Sequence, residues 1–169
     1  SVAINVTNTG DQSGSFDVTL EIGTAVTQTQ TTSTLSAGAA ETVTFAEVTS
    51  GLNDGTYAVN ATTDDDTVTG TLTVEQPATS ELSDLDIAGQ GADSTITEGD
   101  TESVAVNVTN VGDQQGSFDV TLEIGTSVAQ TQTTSTLAAG ATETVTFAGV
   151  TSGLSDDSYD VNATTANDT

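Results

Sequence analysis

One stretch of this chain occurs twice, and the repeat restricts the folds that the chain can adopt. SVAINVTNTGDQSGSFDVTLEIGT, from Ser1, returns as SVAVNVTNVGDQQGSFDVTLEIGT, from Ser103. The match continues without a gap through VNATT, with roughly four aligned positions in five identical. A period of about 102 residues is the size of an independent domain and exceeds the unit of a solenoid. The sequence therefore predicts two tandem copies of one domain.

Apolar residues within each repeat recur at every second position, which is typical of half-buried β-strands. Val2, Ile4 and Val6 form one such run, and a second extends over 16–22. Five further strands are predicted in the following places: the Thr-rich stretch 26–35; Val43 and Phe45; Tyr57, Val59 and Ala61; Val68, Leu72 and Val74; Leu82, Leu85 and Ile87. Segments rich in Gly, Asp, Asn and Ser separate these strands and have turn compositions. About seven short strands per hundred residues indicate an all-β antiparallel sandwich.

The single proline, Pro77, predicts the boundary between the two sandwiches, 1–77 and 78–169. Proline cannot donate to a strand ladder, and its fixed φ stiffens a short linker. The first copy lacks a counterpart of 80–102, and the second ends before a counterpart of 68–77. Two interpretations remain open. Either the sequence is an excerpt from a longer tandem chain, or neighbouring subunits exchange strands to complete the sandwiches.

The charge of the chain has one sign only. Asp and Glu number 25, whereas Lys, Arg and His are absent, so the formal net charge is −25. Self-repulsion of this size destabilises a compact state in dilute buffer, whereas molar salt shortens the Debye length to about 3 Å. The composition therefore predicts an extremely halophilic source.

The same composition excludes several classes of function. Without His, Cys, Lys or Arg there is no Ser-His-Asp triad, thiolate nucleophile, Schiff base or cationic phosphate clamp, so the chain is not expected to be an enzyme. Nucleic-acid binding is not expected either, because phosphate affinity comes mainly from Lys and Arg. No stretch approaches the roughly 18 apolar residues of a membrane span, and we expect no direct membrane insertion by this segment.

The run VTNTGDQSGSFDVTLEIG, with the pattern V-x-N-x-G-x-x-x-G-x-F-x-V-x-L, resembles the CARDB type of immunoglobulin-like domain, which is named for cell adhesion in prokaryotes. The resemblance covers nearly all of both repeats. It implies tandem immunoglobulin-like β-sandwiches, located outside the cell or at its surface and without catalytic activity, often in haloarchaeal surface proteins. GLNDGTYAV also resembles the tyrosine corner of such sandwiches, in which Tyr57 would hydrogen-bond back across the turn, and Tyr159 matches it. Asp157 replaces Gly55 in the second copy, so the same positive φ is not expected there.

Acceptor triplets for N-linked glycosylation, N-x-[ST], are the clearest chemical motifs. They occur at Asn5, Asn60, Asn107, Asn162 and Asn167. A chain rich in Thr and Asn generates some of these triplets by chance. The alternation nevertheless places Asn5 and Asn60 on the polar face of their strands, with Asn107 and Asn162 repeating that position, so we expect N-linked glycans.

Asp64, Asp65 and Asp66 form the densest acidic cluster, in a loop between two predicted strands. Their hard oxygen ligands make calcium a candidate, although no EF-hand spacing is present. The second copy has Ala166, Asn167 and Asp168 there, and the acidity of a halophilic surface accounts for the cluster equally well. No other metal or cofactor is expected.

Two classes of function remain. In the first, the domains are structural repeats of an extracellular filament, stalk or surface-layer scaffold, and their partners are copies of the same chain or neighbouring repeats. In the second, loops at one end of a sandwich form an adhesin that binds a glycan or a surface protein. Binding loops concentrate aromatic residues, but Trp is absent and the few Phe and Tyr lie at predicted core positions. The sequence therefore favours the scaffold.

Overall fold

The computed structural model describes residues 1–166 and divides into two compact units, Ser1–Val74 and Glu75–Thr169. The predicted boundary after Pro77 lies three residues beyond this division. The difference concerns a short linker, because Gln76 hydrogen-bonds to Asp113 and Gln114 of the second unit.

The first unit contains six strands. They are β1 (Val2–Thr7), β2 (Asp17–Ile22), β3 (Val26–Thr31), β4 (Ala40–Phe45), β5 (Gly55–Thr62) and β6 (Thr67–Val74). β1 pairs with β4, and the other four form a sheet in the order β3-β2-β5-β6. All of these pairings are antiparallel.

The second unit also has six strands among the described residues. They are β7 (Ser80–Ile87), β8 (Val104–Asn110), β9 (Asp119–Ile124), β10 (Val128–Thr133), β11 (Thr142–Phe147) and β12 (Val161–Thr164). Their sheets have the orders β11-β8-β7 and β10-β9-β12, again with antiparallel pairing throughout.

The core of each unit lies between its two sheets, as the alternation predicted. In the first unit Val6, Val43 and Phe45 of one sheet are buried together with Val18, Leu20 and Ile22 of the other. The second unit repeats this cluster with the identical residue types. The prediction of all-β tandem immunoglobulin-like sandwiches is therefore confirmed.

One strand is shorter than predicted. The third strand was expected over 26–35, but β3 ends at Thr31. The chain leaves the ladder there because Thr32 is buried, and its Oγ1 accepts a 3.0 Å hydrogen bond from the Phe16 amide. Leu35 rejoins by an isolated bridge to Gly14.

Candidate functional site: the edge of the first sandwich

A buried asparagine closes the loop after the first strand of each repeat. Nδ2 of Asn8 donates to the carbonyl oxygens of Gln12 (2.8 Å) and Leu35 (2.9 Å), and Oδ1 accepts from the Gly10 amide at 3.0 Å. Asn110 makes the three corresponding bonds in the second unit. Sequence reasoning gave these residues no role. The sequence did contain a signal for the burial of Asn8, because Asn8 follows Val2, Ile4 and Val6 at every second position and so lies on the same, inward face.

Both tyrosine corners form as predicted. The Tyr57 hydroxyl donates to the Asn53 carbonyl at 3.1 Å, and the Tyr159 hydroxyl donates to the Ser155 carbonyl at 3.3 Å. Gly55 has a φ of 139°, whereas Asp157 is not among the described residues with positive φ. The expectation of a different turn in the second copy is therefore confirmed.

The second unit carries a segment that covers the edge of β8. This covering segment comprises Glu75–Ile87, that is, the linker and β7. Its residues Ala78, Leu82 and Leu85 pack against the core. Under this cover, Val104 and Val106 of β8 are only 0% and 2% exposed.

The same strand in the first unit is less covered. β1 is the counterpart of β8 and has a hydrogen-bonded neighbour, β4, on one side only among the described strands. Val2 and Ile4 are consequently half-buried, although they match the fully buried Val104 and Val106. An apolar sheet edge with unpaired backbone groups is a template for another strand.

Two glycines sit beside this edge. In the second unit a Cβ on Gly112 would overlap with the backbone of Pro77 and lie 2.9 Å from the Cα of Ala78, and one on Gly116 would overlap with the Ala78 methyl group. Their counterparts in the first unit, Gly10 and Gly14, could each take a Cβ without such overlap. The nearest atom to a Cβ on Gly10 is Oδ1 of Asn8 at 3.4 Å, and on Gly14 it is Cζ of Phe16 at 3.9 Å. We name β1 together with Gly10 and Gly14 the acceptor edge.

The predicted glycosylation residues differ in accessibility. Asn5 and Asn162 are exposed, Asn60 and Asn107 are half-buried, and Asn167 lies outside the described residues. The four described residues lie on four different strands and do not converge on one site. Nδ2 of Asn107 donates a 3.0 Å hydrogen bond to Oδ2 of Asp84.

The acidic cluster lies in the hairpin between β5 and β6. Asp64, Asp65 and Asp66 are exposed, and Oδ1 of Asp66 accepts from the Thr67 amide at 2.8 Å. Within 1–166, no group of three or more acidic side chains is arranged to hold a metal ion.

A groove of about 850 Å³ runs beside β12 in the second unit. Its apolar lining includes Leu85, Ile87 and Val161, and four carboxylates also line it: Asp93, Asp156, Asp157 and Asp160. Among the described strands β12 is at the edge of its sheet, whereas its counterpart β5 pairs with β6. Among the described strands, β1 therefore lacks the neighbour that its counterpart β8 has in β7, and β12 lacks the neighbour that its counterpart β5 has in β6.

The fold and its repeated corners define tandem immunoglobulin-like β-sandwich domains. The chain belongs to the CARDB family, whose model matches residues 1–71 and 82–169. Domains of this family are typically non-catalytic structural domains and occur in extracellular and cell-surface proteins. No curated protein and no solved structure matches the chain. In the described part of the chain, no helix has the length and hydropathy needed to cross a membrane.

Proposed function

We propose that this protein is a structural repeat unit of an extracellular assembly, such as a filament, a stalk or a surface-layer scaffold, in an extreme halophile. Subunits join by strand exchange, and copies of the same chain are the main partners. The membership in a family of surface domains supports the location, and the one-signed charge supports the salty environment.

The observation that carries the proposal is the distribution of differences between the two repeats. One differing position, Ile4, is half-buried in the first unit and becomes Val106 in the second. All the other differing positions are exposed in the first unit: Thr9, Ser13, Ala25, Thr27, Ser36, Ala40, Glu47, Asn53, Gly55, Thr56, Ala58, Asp64 and Asp65. The core residues and the buried asparagines Asn8 and Asn110 are otherwise identical in the two repeats. The two repeats keep the same core while their surface residues differ. This pattern supports a role that depends on the shape of the domain and not on one specialised surface site.

The uniformly negative charge supports the high-salt environment that we propose. No described residue carries a cationic side chain, so the carboxylates are neutralised by solvent cations and not by ion pairs. Concentrated salt screens their repulsion. The same surface keeps an extended array soluble without internal salt bridges.

Electron microscopy of native surface material in concentrated salt tests the proposal. We expect regular fibres whose axial repeat corresponds to one or two of these domains, labelled by antibodies against this chain. Isolated flexible rods would contradict the filament and favour an adhesin stalk. A purely intracellular antibody signal would contradict the extracellular location.

A further inference from the structure

We propose that β3 and β10 are association edges at which a second copy of this chain binds, each strand pairing antiparallel with the corresponding strand of that copy. The inference deepens the proposed function by naming a surface through which subunits join, and it rests on that function only for the location of the assembly. The contact differs from strand exchange, because both strands stay in their own sandwiches.

Both strands lie at the edge of a sheet and have a described strand on one side only. β3 pairs with β2, and β10 pairs with β9. The first unit contains β6 and the second contains β7, and neither of these strands pairs with the association edge of its unit. Five of the six residues in each edge are exposed. The free backbone groups of such an edge are a template for another strand.

Alternate residues of each association edge direct their backbone groups away from the neighbouring strand. The Thr32 amide donates to the Phe16 carbonyl at 2.9 Å, so Thr32 faces β2. Residues of an antiparallel ladder face the neighbouring strand alternately, and the register runs through β3 without a shift. The outward residues are therefore Thr27, Thr29 and Thr31, and by the same argument Ala129, Thr131 and Thr133 in β10.

Neither edge has the features by which sheet edges usually prevent pairing. Those features are charged side chains, proline and bulges. The strand sequences VTQTQT and VAQTQT contain no charge and no proline, and their registers are continuous. β7, which lies at the edge of another sheet among the described strands, has three carboxylates and a register shift between Ser83 and Asp86. The chain therefore protects one edge and leaves the association edges unprotected.

The acidic residues of the chain are distributed so that they avoid these two strands. Asp and Glu account for 25 of the 169 residues. The two longest stretches without either residue are 22–40 and 124–142, and each of them contains an association edge. Because every charged side chain is negative, two copies repel each other wherever their carboxylates meet. An uncharged edge is therefore a surface that a second copy of this chain can approach.

An antiparallel pair centred on Thr29 fits the chemistry of the edge. Along 27–31 it places Thr opposite Thr and Gln opposite Gln of the second copy. Threonine hydroxyls on this face already hydrogen-bond across strands, as those of Thr19 and Thr29 do at 2.9 Å. Thr–Thr pairs of this kind stabilise antiparallel sheets. The new pair would extend the same row of hydroxyl contacts across the two copies.

The pairing keeps the carboxylates of the two copies apart. Asp17 and Glu21 of β2 lie opposite Thr31 and Thr27, one strand away from the edge. Three strand spacings of about 4.8 Å, or roughly 14 Å, would separate them from their counterparts in the second copy. The Debye length in molar salt is about 3 Å. Repulsion between these carboxylates is therefore screened in the salty environment that we propose.

Sedimentation of the whole chain in molar salt, from micromolar concentration to about 1 mM, tests the inference. We expect reversible self-association that increases with concentration. Hydrogen exchange at low and high concentration locates the contact. Association should slow exchange of the outward amides of Thr27, Thr29 and Thr131. Exchange at Thr71 in β6, on the opposite edge of the first sheet, should not change.

Proline variants test the edge directly. Thr29→Pro combined with Thr131→Pro should fold, because an edge strand tolerates proline where the missing N–H would face solvent. It should weaken self-association about tenfold or more by removing an outward donor from each edge. Thr71→Pro is the matched control. Its amide also faces away from the neighbouring strand, since Ala58, which lies opposite, accepts from the Gly23 amide of β2's side. Self-association of this control should equal that of the unmodified chain.

A second set of variants leaves the backbone unchanged. Thr29→Glu with Thr131→Glu is compared with Thr29→Gln with Thr131→Gln, and circular dichroism checks that both fold. Thr29 and Thr131 are exposed, so neither set should disturb the core. The Glu variant places like charges opposite each other and should associate about two- to fivefold more weakly. The Gln variant should associate like the unmodified chain.

A chain that stays monomeric at about 1 mM, or that associates without slower exchange at the outward amides, would overturn the inference. Folded Pro and Glu variants that associate like the unmodified chain would do so too. The outcomes also separate the inference from the proposed function. Pairing at these edges without surface fibres would keep the association edges and remove the filament. Fibres formed by a chain whose edge variants assemble normally would do the reverse.

Discussion

Nδ2 of Asn107 donates to the carboxylate of Asp84 across the β7–β8 pair at 3.0 Å, while Oδ1 of Asn107 accepts from the Thr144 hydroxyl at 2.6 Å. Asp84 lies at a register shift in β7 and has a φ of 52°. Nδ2 is the atom that carries an N-linked glycan, so this bond occupies the attachment atom. Asn5, in the same triplet of the first repeat, is exposed and has no such bond among the described contacts.

This difference predicts unequal glycosylation of two matched triplets. Glycan occupancy at Asn5 should exceed that at Asn107, measured by mass spectrometry of glycopeptides from the native source. Asp84→Gly should raise occupancy at Asn107, because it removes the acceptor and tolerates the positive φ. Occupancy at Asn5 serves as the internal reference. Full occupancy of Asn107 in the unmodified protein would contradict the prediction.

Stability should depend on salt. We expect the strand signal in circular dichroism to be lost on dilution from molar to about 0.1 M salt, where the Debye length lengthens to about 10 Å and repulsion among 25 acidic residues is no longer screened. A chain with Asp64, Asp65 and Asp66 all changed to Asn should need less salt to fold. A spectrum that is unchanged in dilute buffer would contradict the prediction of a halophilic source.

The buried asparagines Asn8 and Asn110 should be more important for stability than the exposed asparagines. Asn8→Ala removes all three hydrogen bonds of the buried Asn8 side chain, so the Gln12 carbonyl loses this donor and the Leu35 carbonyl keeps the Gly14 amide, which we expect to cost about 1–3 kcal/mol. Asn110→Ala should cost at least as much, because Oδ1 of Asn110 also accepts from the Thr79 amide at 3.3 Å. Asn5→Ala is the control and should change stability by about 0.5 kcal/mol or less. Urea unfolding in molar salt measures all three.

Gly23 should not tolerate a side chain. It has a φ of 53°, and a Cβ there would lie 3.1 Å from Cδ1 of Tyr57. Gly23→Ala should therefore lower the free energy of unfolding by about 1–3 kcal/mol through backbone strain. Gly70→Ala, with open space, should have a much smaller effect. Equal urea midpoints for the two variants would contradict this account.

Much of the fold could be predicted because its signals are local. The alternation of Val18, Leu20 and Ile22 with polar residues defines which face of β2 is buried, whichever strand lies beside it. The tyrosine corner was also predictable, because Tyr57 and its acceptor Asn53 are four residues apart. The end of β3 was not, since Thr32 turns inward to meet Phe16 on another part of the chain.

The sequence by itself determined that this protein consists of two tandem all-β repeats and that all its charged side chains are negative. The repeat period, the alternation of apolar residues and the composition are properties of the chain alone. Only the tertiary structure decided which matched residues are equivalent in their surroundings. Gly14 and Gly116 occupy the same position in the two repeats, yet only Gly116 meets Ala78. Asn5 and Asn107 share one triplet, yet only Asn107 meets Asp84. The physical reason is that packing and hydrogen bonding depend on segments distant in sequence, such as the covering segment that pairs with β8 inside the second unit.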